Sequence, residues 1–574
     1  MLVYGDRSEL ADPRSCLDRL GRDLAALSTQ PPGLNRHSEL VFALIEAGRL
    51  LQGVADADFR LVGADRRTPG TREISALLQA LAAAVCRSWD SEFGGPLMLP
   101  DVPSPLGLPE TVELRTPEGF AYYGLYPEAY IDAARRLRLS GPPRVIGIRS
   151  IGTSLGALAA AALGAPPPTT VRPIGDPADR RLAISADLAA DLLSPRNAHF
   201  VIVDEGPGRS GSSFASVAIW LRARRVPLDR IAFLPSHAGD PGPQATPRHR
   251  QVWTGAQRVA ADLGPALPRL LAAWAEDRIG PIEGPLIDIS AGAWRKRVYP
   301  DESAWPAVIP GQERRKFLAS VGGSTWLLKF AGLGVEGRRR LACARTLHAA
   351  GLVPEPRDLI HGFLIERWQS DRSPLAVGAK PMAAIARYLG VRARLLPAAE
   401  GSGADLAQLF ALASRNCRLA LGAEAASALD RWKARLSALE ARVRRVATDN
   451  RLDRHEWLDL PGKPLLKADA VDHHAGHDLI GCQDIAWDVA GAAVEFDLDP
   501  PAAARLAAAV GRAAGRKVDP ELCEFLTLAY LAFRMGQVKL AAESAGAWPG
   551  EMVRLDARAA GYAHRLERRL ARAA

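Results

Sequence analysis

A chain of 574 residues with 73 Lys and Arg against 64 Asp and Glu, a formal charge of +9, is too long for one hydrophobic core; at roughly 100–200 residues per unit it reads as about three or four domains. Its 48% hydrophobic and 24% charged residues contain no apolar run of about 18 residues, which argues against a membrane span. Six cysteines without a CxxC pair argue against a zinc ribbon or a disulfide framework, and no aromatic-interleaved basic stripe favours nucleic acid over small phosphorylated ligands.

The opening MLVYGDRSELADPRSC has an early acidic residue and no basic-then-apolar block, so no secretory signal is expected and the cytoplasm is the default compartment. Residues 1–110 read as a helical segment: helical periodicity runs from Ser38 to Ala47 and from Ile74 to Trp89, and the proline-rich stretch from Pro96 to Glu110 reads as a linker or extended cover. Residues 111–265 alternate helices with short apolar runs. PEAYIDAARRL, GALAAAALGA and FASVAIWLRAR are the helices, and RVIGI, HFVIVDE and RIAFLP are the strands, which predicts a parallel sheet with helices on its faces. Ligands in such sheets sit beyond the strand C-terminal ends.

Residues 266–309 look like a linker. In the last unit, 310–574, KFLAS-VGGS-TWLLKF reads as two strands around a glycine turn, and nearly everything beyond Asp405 is helical apart from WLDL and PLLKAD. The expected fold class is therefore multidomain, α/β followed by α+β.

The strongest motif runs from Phe200 to Phe214. An apolar strand ends in Asp204 and Glu205 and continues through Gly206, Pro207, Gly208, Arg209, Ser210, Gly211, Ser212 and Ser213 into a helix. Paired carboxylates at a strand end can accept hydrogen bonds from two ribose hydroxyls, and backbone N–H groups at a helix start can cradle a phosphate. A second strand and turn, Arg144 to Gly156, presents Arg149, Ser150, Gly152, Thr153 and Ser154 in the same way.

Together the two loops resemble those of type I phosphoribosyltransferases, over residues 115–245. The resemblance implies that Asp204 and Glu205 hold the ribose of phosphoribosyl pyrophosphate, that Gly208 to Ser213 bind its 5-phosphate, and that Arg149 to Ser154 take the pyrophosphate with Mg2+. This copy departs from the family in the Glu at the second acid, in Ser where Thr is usual, and in an apparent extra residue in the loop. The stretch from Pro235 to Val252, where an acceptor would be recognised, matches nothing decodable.

Residues 310–574 resemble the aminoglycoside phosphotransferase and choline kinase group. The matching pieces are Lys329 at the end of TWLLK, the helix start at Glu336 and Arg338, the hinge approach at Glu366, Asp469 after PLLKA, and the helix start Asp484-Ile-Ala-Trp487-Asp488. The resemblance implies a nucleotide such as ATP, with Lys329 on its phosphates, the chain near Glu366 against its base, and Asp469 on Mg2+.

The group's catalytic loop aligns with Asp449 to Leu458. This places Arg451 where the group has its catalytic Asp, and Glu456 where it has its metal-binding Asn. A guanidinium cannot accept a hydroxyl proton, which leaves Asp449 and Asp453 as the carboxylates for that role. In Asp472-His473-His474-Ala-Gly-His477-Asp478, His473 and His477 can share a helix face, but no acidic partner stands at a metal-enzyme spacing and a polar insertion beside Asp469 explains the composition equally well, so no dedicated metal site is assigned. Two functions follow: a transferase acting on a small phosphorylated metabolite, and a sensor that keeps the ligand sites without the chemistry. The acceptors and the oligomeric state are not legible.

Overall fold

The structure, a computed structural model, describes residues 8–376, 378, 381–399, 401–476 and 480–571. Three helices open the chain: Pro13–Ser28, Leu34–Val62 and Pro69–Asp90. Asp12 accepts the backbone N–H groups of Arg14 (3.1 Å) and Ser15 (3.2 Å), and Thr68 and Thr71 cap each other reciprocally. In both helices the following proline occupies a first-turn position that lacks an intrahelical partner in any case. The apolar stripe of each helix is buried, as the periodicity predicts.

The second and third of these helices pack on Gly152–Ala162, which with Pro127–Arg135 lies on a five-stranded sheet ordered Thr169–Val171, Pro143–Ile148, His199–Val203, Ile231–Leu234, Gln257–Arg258. All four pairings are parallel, with Val145 opposite Val201 and Ile202 opposite Phe233. In chain order the sheet is 2-1-3-4-5, so its direction of winding reverses between Pro143–Ile148 and His199–Val203. Loops leaving adjacent strands at such a reversal form a crevice. Both glycine-rich loops leave the sheet there. The short strands Thr169–Val171 and Gln257–Arg258 and the hairpin of Ile174–Asp176 with Asp179–Arg181 carry too few apolar residues to be read from pattern.

A second five-stranded sheet is antiparallel, ordered Ile287–Asp288, Lys316–Val321, Ser324–Phe330, Phe363–Arg367, Pro356–Ile360. It is followed by a helical lobe whose main members are Met382–Leu395, Leu406–Leu421, Ile485–Glu495, Pro500–Ala514, Pro520–Ser544 and Pro549–Ala571. Residues 266–309 are not the linker that their composition suggests. Leu267–Ile279 is a helix that buries Leu267, Leu271 and Trp274, and Ile287–Asp288 adds the edge strand of the second sheet. Two Pro and two Gly between Gly280 and Pro285 mask an element boundary rather than a flexible tether.

One core joins what reads as separate units. Leu44, Leu51 and Leu78 of the first helices pack in a single cluster with Val201 and Leu234 of the parallel sheet and with Leu328, Phe330 and Phe363 of the antiparallel sheet. At its centre Glu128 Oε1 accepts hydrogen bonds from His37 Nε2 (2.9 Å) and His361 Nε2 (3.0 Å), all three side chains fully buried. The far ring nitrogens meet Ser88 Oγ (2.9 Å) and Ser38 Oγ (3.0 Å). No disulfide joins any of the six cysteines, and no described helix is long and apolar enough to cross a membrane.

Candidate functional site

At the crevice of the parallel sheet glycine lets the first loop fold back on its own strand and rest on the end of the strand that leads to Asp204. A Cβ on Gly147 would stand 2.2 Å from the Gly152 carbonyl oxygen, and one on Gly152 would stand 2.5 Å from that of Val203. Asp204 ends its strand with its carbonyl oxygen held by the Tyr130 hydroxyl (2.9 Å), and burial pushes its carboxyl up to about 7. Glu205 lies against Gly119, whose added Cβ would meet its Oε2 at 3.0 Å. The loop then turns through Gly208 (φ 58°) and Gly211 (φ 65°), left-handed conformations that glycine adopts without strain, into the helix Ser212–Arg222.

The serine hydroxyls of this loop are already engaged. Ser210 Oγ and Ser212 Oγ both donate to the Pro177 carbonyl (2.9 and 2.7 Å), and Ser213 Oγ accepts from Arg180 (2.7 Å). The short hairpin that holds Pro177 and Arg180 thus closes over the loop. Gly206 faces His237, from the stretch that no sequence pattern decoded.

The second loop corrects the expectation for Arg149. Its guanidinium is buried and donates to Asp56 (Nε, 2.9 Å) and Asp65 (Nη2, 2.5 Å), and Arg172 also binds Asp56. It is spent in an internal ion network and is not presented to a pyrophosphate. Ser154 faces inward against Gly48 of Leu34–Val62, where an added Cβ would come within 1.9 Å of its Oγ; Thr153 is fully buried and its Oγ1 has no hydrogen-bond partner. The spacing of Gly, Ser and Thr locates this loop, but the side-chain directions follow from the covering helices and were not readable. Ser150 remains partly exposed beside the crevice.

The second site lies between the antiparallel sheet and the helical lobe. Lys329 projects from Ser324–Phe330 and forms an ion pair with Asp469; Asp472 lies 3.9 Å from its Nζ. Burial alone would lower this amine, but the two carboxylates outweigh it and hold it above the ordinary lysine range. Glu366, on the neighbouring strand, lines the same cleft, and burial pushes its carboxyl up to about 7. The slot behind Lys329 is apolar, lined by Ile289, Trp294, Val308, Leu327, Val353 and Val471. Ile289, Trp294 and Val308 come from the stretch expected to be a linker, so its role in the slot was missed. At the next helix, Glu336 pairs with Arg339 (2.9 Å) and Arg338 pairs with Glu39, so neither serves Lys329.

The loop of residues 448–456 is pinned from below. Asp488 accepts the backbone N–H groups of Asp449 (2.7 Å) and Asn450 (2.9 Å), with Asn450 left-handed at φ 65°. Asp449 is buried among Tyr388, Lys467 (3.3 Å) and His473 (3.1 Å); burial would raise it, yet these cations and Arg392 hold it well below the carboxylate range. Asp453 is clamped by Arg534 (3.2 Å) and Arg558 and is likewise held well below that range. Neither is placed as a base: Asp449 lines neither cavity of the cleft, and Asp453 has its oxygens saturated by arginines. Arg451 lines both cavities, at the place where the carboxylate was expected.

Glu456, Asp469 and His473 bring ligand atoms within 4.8 Å of one another. His473 Nδ1 is held by Asp449 while its Nε2 lies 3.7 Å from Asp469 Oδ2. Burial would lower this imidazole, but the Asp449 and Asp469 carboxylates outweigh it and hold it at about 9. Burial pushes Glu456, which Lys467 contacts at 2.7 Å, up to about 7. His473 was set aside in the sequence. The signal for it is its spacing four residues after Asp469, not its spacing to His477, which lies outside the described residues.

No family model and no curated protein matches the chain. Among solved structures it is similar to choline kinase LicA from Streptococcus pneumoniae, at 14% identity and a TM-score of 0.36 over 52% of this chain and 99% of that one. It is also similar to a choline/ethanolamine kinase family protein from Mesorhizobium loti, at 15% and 0.30 over 45% and 89%. A third likeness is to the spectinomycin phosphotransferase APH(9)-Ia in complex with ADP and spectinomycin, at 12% and 0.33 over 52% and 98%. These values are too low to assign the chain to any of those families, and the chemistry has to be argued from the site itself.

Proposed function

We propose that the chain carries a nucleotide-dependent phosphotransferase site in residues 310–574 and a sugar-phosphate site of the phosphoribosyltransferase type in residues 111–265, both serving a small phosphorylated metabolite. The observation that carries the first reading is Lys329 paired with Asp469 at the mouth of an apolar slot. A planar base fits the slot, and Lys329 and Asp469 then stand where phosphates and their cation belong.

The carboxylates of Asp469 and Glu456 are hard oxygen donors that suit Mg2+, and Asp472 Oδ1 beside them is buried without a hydrogen-bond partner. Bound there, the ion would neutralise charge on the transferring phosphoryl group. The chain's own residues do the rest: Lys329 orients the phosphates, Asp488 fixes the loop that carries Arg451, and Asp449 orients His473 toward Asp469. In the α/β unit Asp204 and Glu205 would accept the ribose hydroxyls of phosphoribosyl pyrophosphate, with its 5-phosphate at the start of Ser212–Arg222. With Arg149 committed elsewhere, the leaving pyrophosphate would depend on backbone N–H groups, Ser150 and Mg2+.

A second reading, ligand sensing without turnover, is favoured by Arg451 in place of a base and by the closure of Arg149. Turnover separates the two. The transferase reading predicts ADP formation from Mg-ATP with phosphorylated acceptors and a loss of about 100-fold or more in Lys329→Ala. Nucleotide binding with no turnover on any such acceptor would favour sensing. For the α/β site, calorimetric binding of phosphoribosyl pyrophosphate with Mg2+ is expected in the wild type and lost in Asp204→Ala with Glu205→Ala; no binding by the wild type would remove that half of the proposal.

A further inference from the structure

Beside the nucleotide slot lies a second cavity whose wall is built by both halves of the chain. Arg209, from the loop that follows the Asp204 and Glu205 pair, lines it together with Tyr123, Gln312, Arg314, Arg451 and Trp548, and Asp469 stands on its nucleotide side. The two halves are tied together at its rim, where the Tyr122 hydroxyl donates to the Ala475 carbonyl (2.7 Å) and Arg314 donates to that of Tyr122 (2.5 Å).

Most charges in this wall are already matched. Arg314 pairs with Asp472 (3.3 Å), Lys316 with Glu313 (2.8 Å), and Asp469 with Lys329. Two guanidinium groups are not. Among the described residues the Arg209 side chain has no hydrogen bond or ion pair. Among the described residues the guanidinium of Arg451 hydrogen-bonds the neutral amide of Gln312 (3.2 Å) alone, and its Nε is buried with no hydrogen-bond partner. Guanidinium groups that hydrogen-bond no carboxylate, here the half-buried Arg451 and the exposed Arg209, are matched by oxyanions such as phosphate and carboxylate. Arg209 belongs to the loop with the features of a sugar-phosphate site, which selects phosphate.

We infer that this cavity binds a phosphomonoester between Arg209 and Arg451, and that its phosphate oxygen is the phosphoryl acceptor. This rests on the phosphotransferase reading and accounts for the missing base. A hydroxyl acceptor needs a carboxylate to take its proton, whereas a phosphate dianion has an ionised oxygen and needs a cation to draw it in. The acceptor oxygen attacks the γ-phosphorus of a nucleoside triphosphate, and the bond from that phosphorus to the β,γ-bridging oxygen breaks. The nucleoside diphosphate leaves with the bonding electrons, and the product is a diphosphate ester. No proton is transferred from the acceptor.

The test is calorimetric titration of the full chain, loaded with Mg-ADP, with ribose 5-phosphate, using ribose and inorganic phosphate as controls, together with ADP release from Mg-ATP. Because Asp204 and Glu205 are assigned to a ribose of their own, the inference is read in the Asp204→Asn, Glu205→Gln background: binding of ribose 5-phosphate persists there and weakens at least tenfold when Arg209→Ala or Arg451→Ala is added. It also predicts ADP release stimulated by ribose 5-phosphate and not by ribose. No binding in that background, equal affinity after either arginine substitution is added, or equal stimulation by ribose would each overturn it. Binding of inorganic phosphate with the same affinity and the same loss in the arginine variants would support the anion site; binding indifferent to those variants would count against it. Mg-ADP binding is measured first by itself. Its absence would overturn the phosphotransferase reading, while the ribose 5-phosphate titration would still decide the anion site.

Discussion

Single residues in this chain are shaped by their neighbours more than by their motifs, and Asp56 shows how. It sits in the ion network that removes Arg149 from the crevice. Burial would raise its pKa, but the hydrogen bond from Arg172 and the charge of Arg149 outweigh burial and bring it down to about 2. A carboxylate with a folded pKa below its ordinary 3.8 adds stability that is fully present above pH 3.8 and is lost as the pH falls toward 2. Its share is about 2 kcal/mol. Asp65, in the same network, is pushed the other way by burial and contributes with opposite sign. The single substitution separates them: in denaturant titrations Asp56→Asn should be less stable than wild type at pH 6, with the gap narrowing between pH 4 and pH 2. A gap that does not change with pH would mean that Asp56 acts by packing alone.

Nothing in GIRSIGTS marks Arg149 as internal, because its partners Asp56 and Asp65 lie more than 80 residues away in the chain. The paired acids Asp204 and Glu205 were legible because strand, acids and glycine loop are contiguous.

Among elements, the parallel sheet was readable because its strands are short apolar runs separated by helical periods, and the loops at its winding reversal follow from that order. The stretch 266–309 was not, because its proline and glycine content hides a helix and an edge strand that gain their stability only from the partner sheet. How tightly the first crevice loop folds back on its own strand depends on Gly147. Gly147→Ala would drive a methyl group to 2.2 Å from the Gly152 carbonyl oxygen, a backbone atom that cannot rotate away. The expected cost is about 1–3 kcal/mol, read as a lower melting temperature, with weakened binding of phosphoribosyl pyrophosphate. An unchanged melting temperature would show that the first loop yields freely around position 147.

For the whole molecule, the expectation of independent units gives way to a core shared by the first helices, the parallel sheet and the antiparallel sheet. A fragment beginning at residue 310 would expose Phe317, Leu328, Phe330 and Phe363 on one face of its sheet, and should aggregate or fail to fold when expressed alone. Glu128 is the polar tie in that core. Glu128→Ala would leave His37 and His361 buried without their acceptor, at a cost of about 3 kcal/mol. Because the tie joins all three parts, the loss should shift a single urea transition; two separate transitions would contradict a shared core.

The central claim is that the cleft around Lys329 and Asp469 is a nucleotide site. Calorimetric titration of Mg-ADP into the full chain, its Lys329→Ala variant and its Asp469→Asn variant tests it most directly. The account predicts one site per chain in the wild type, weakened at least tenfold, or about 1.4 kcal/mol, in each variant while all three proteins melt cooperatively. Absence of binding by the wild type, or binding indifferent to both substitutions, would contradict it.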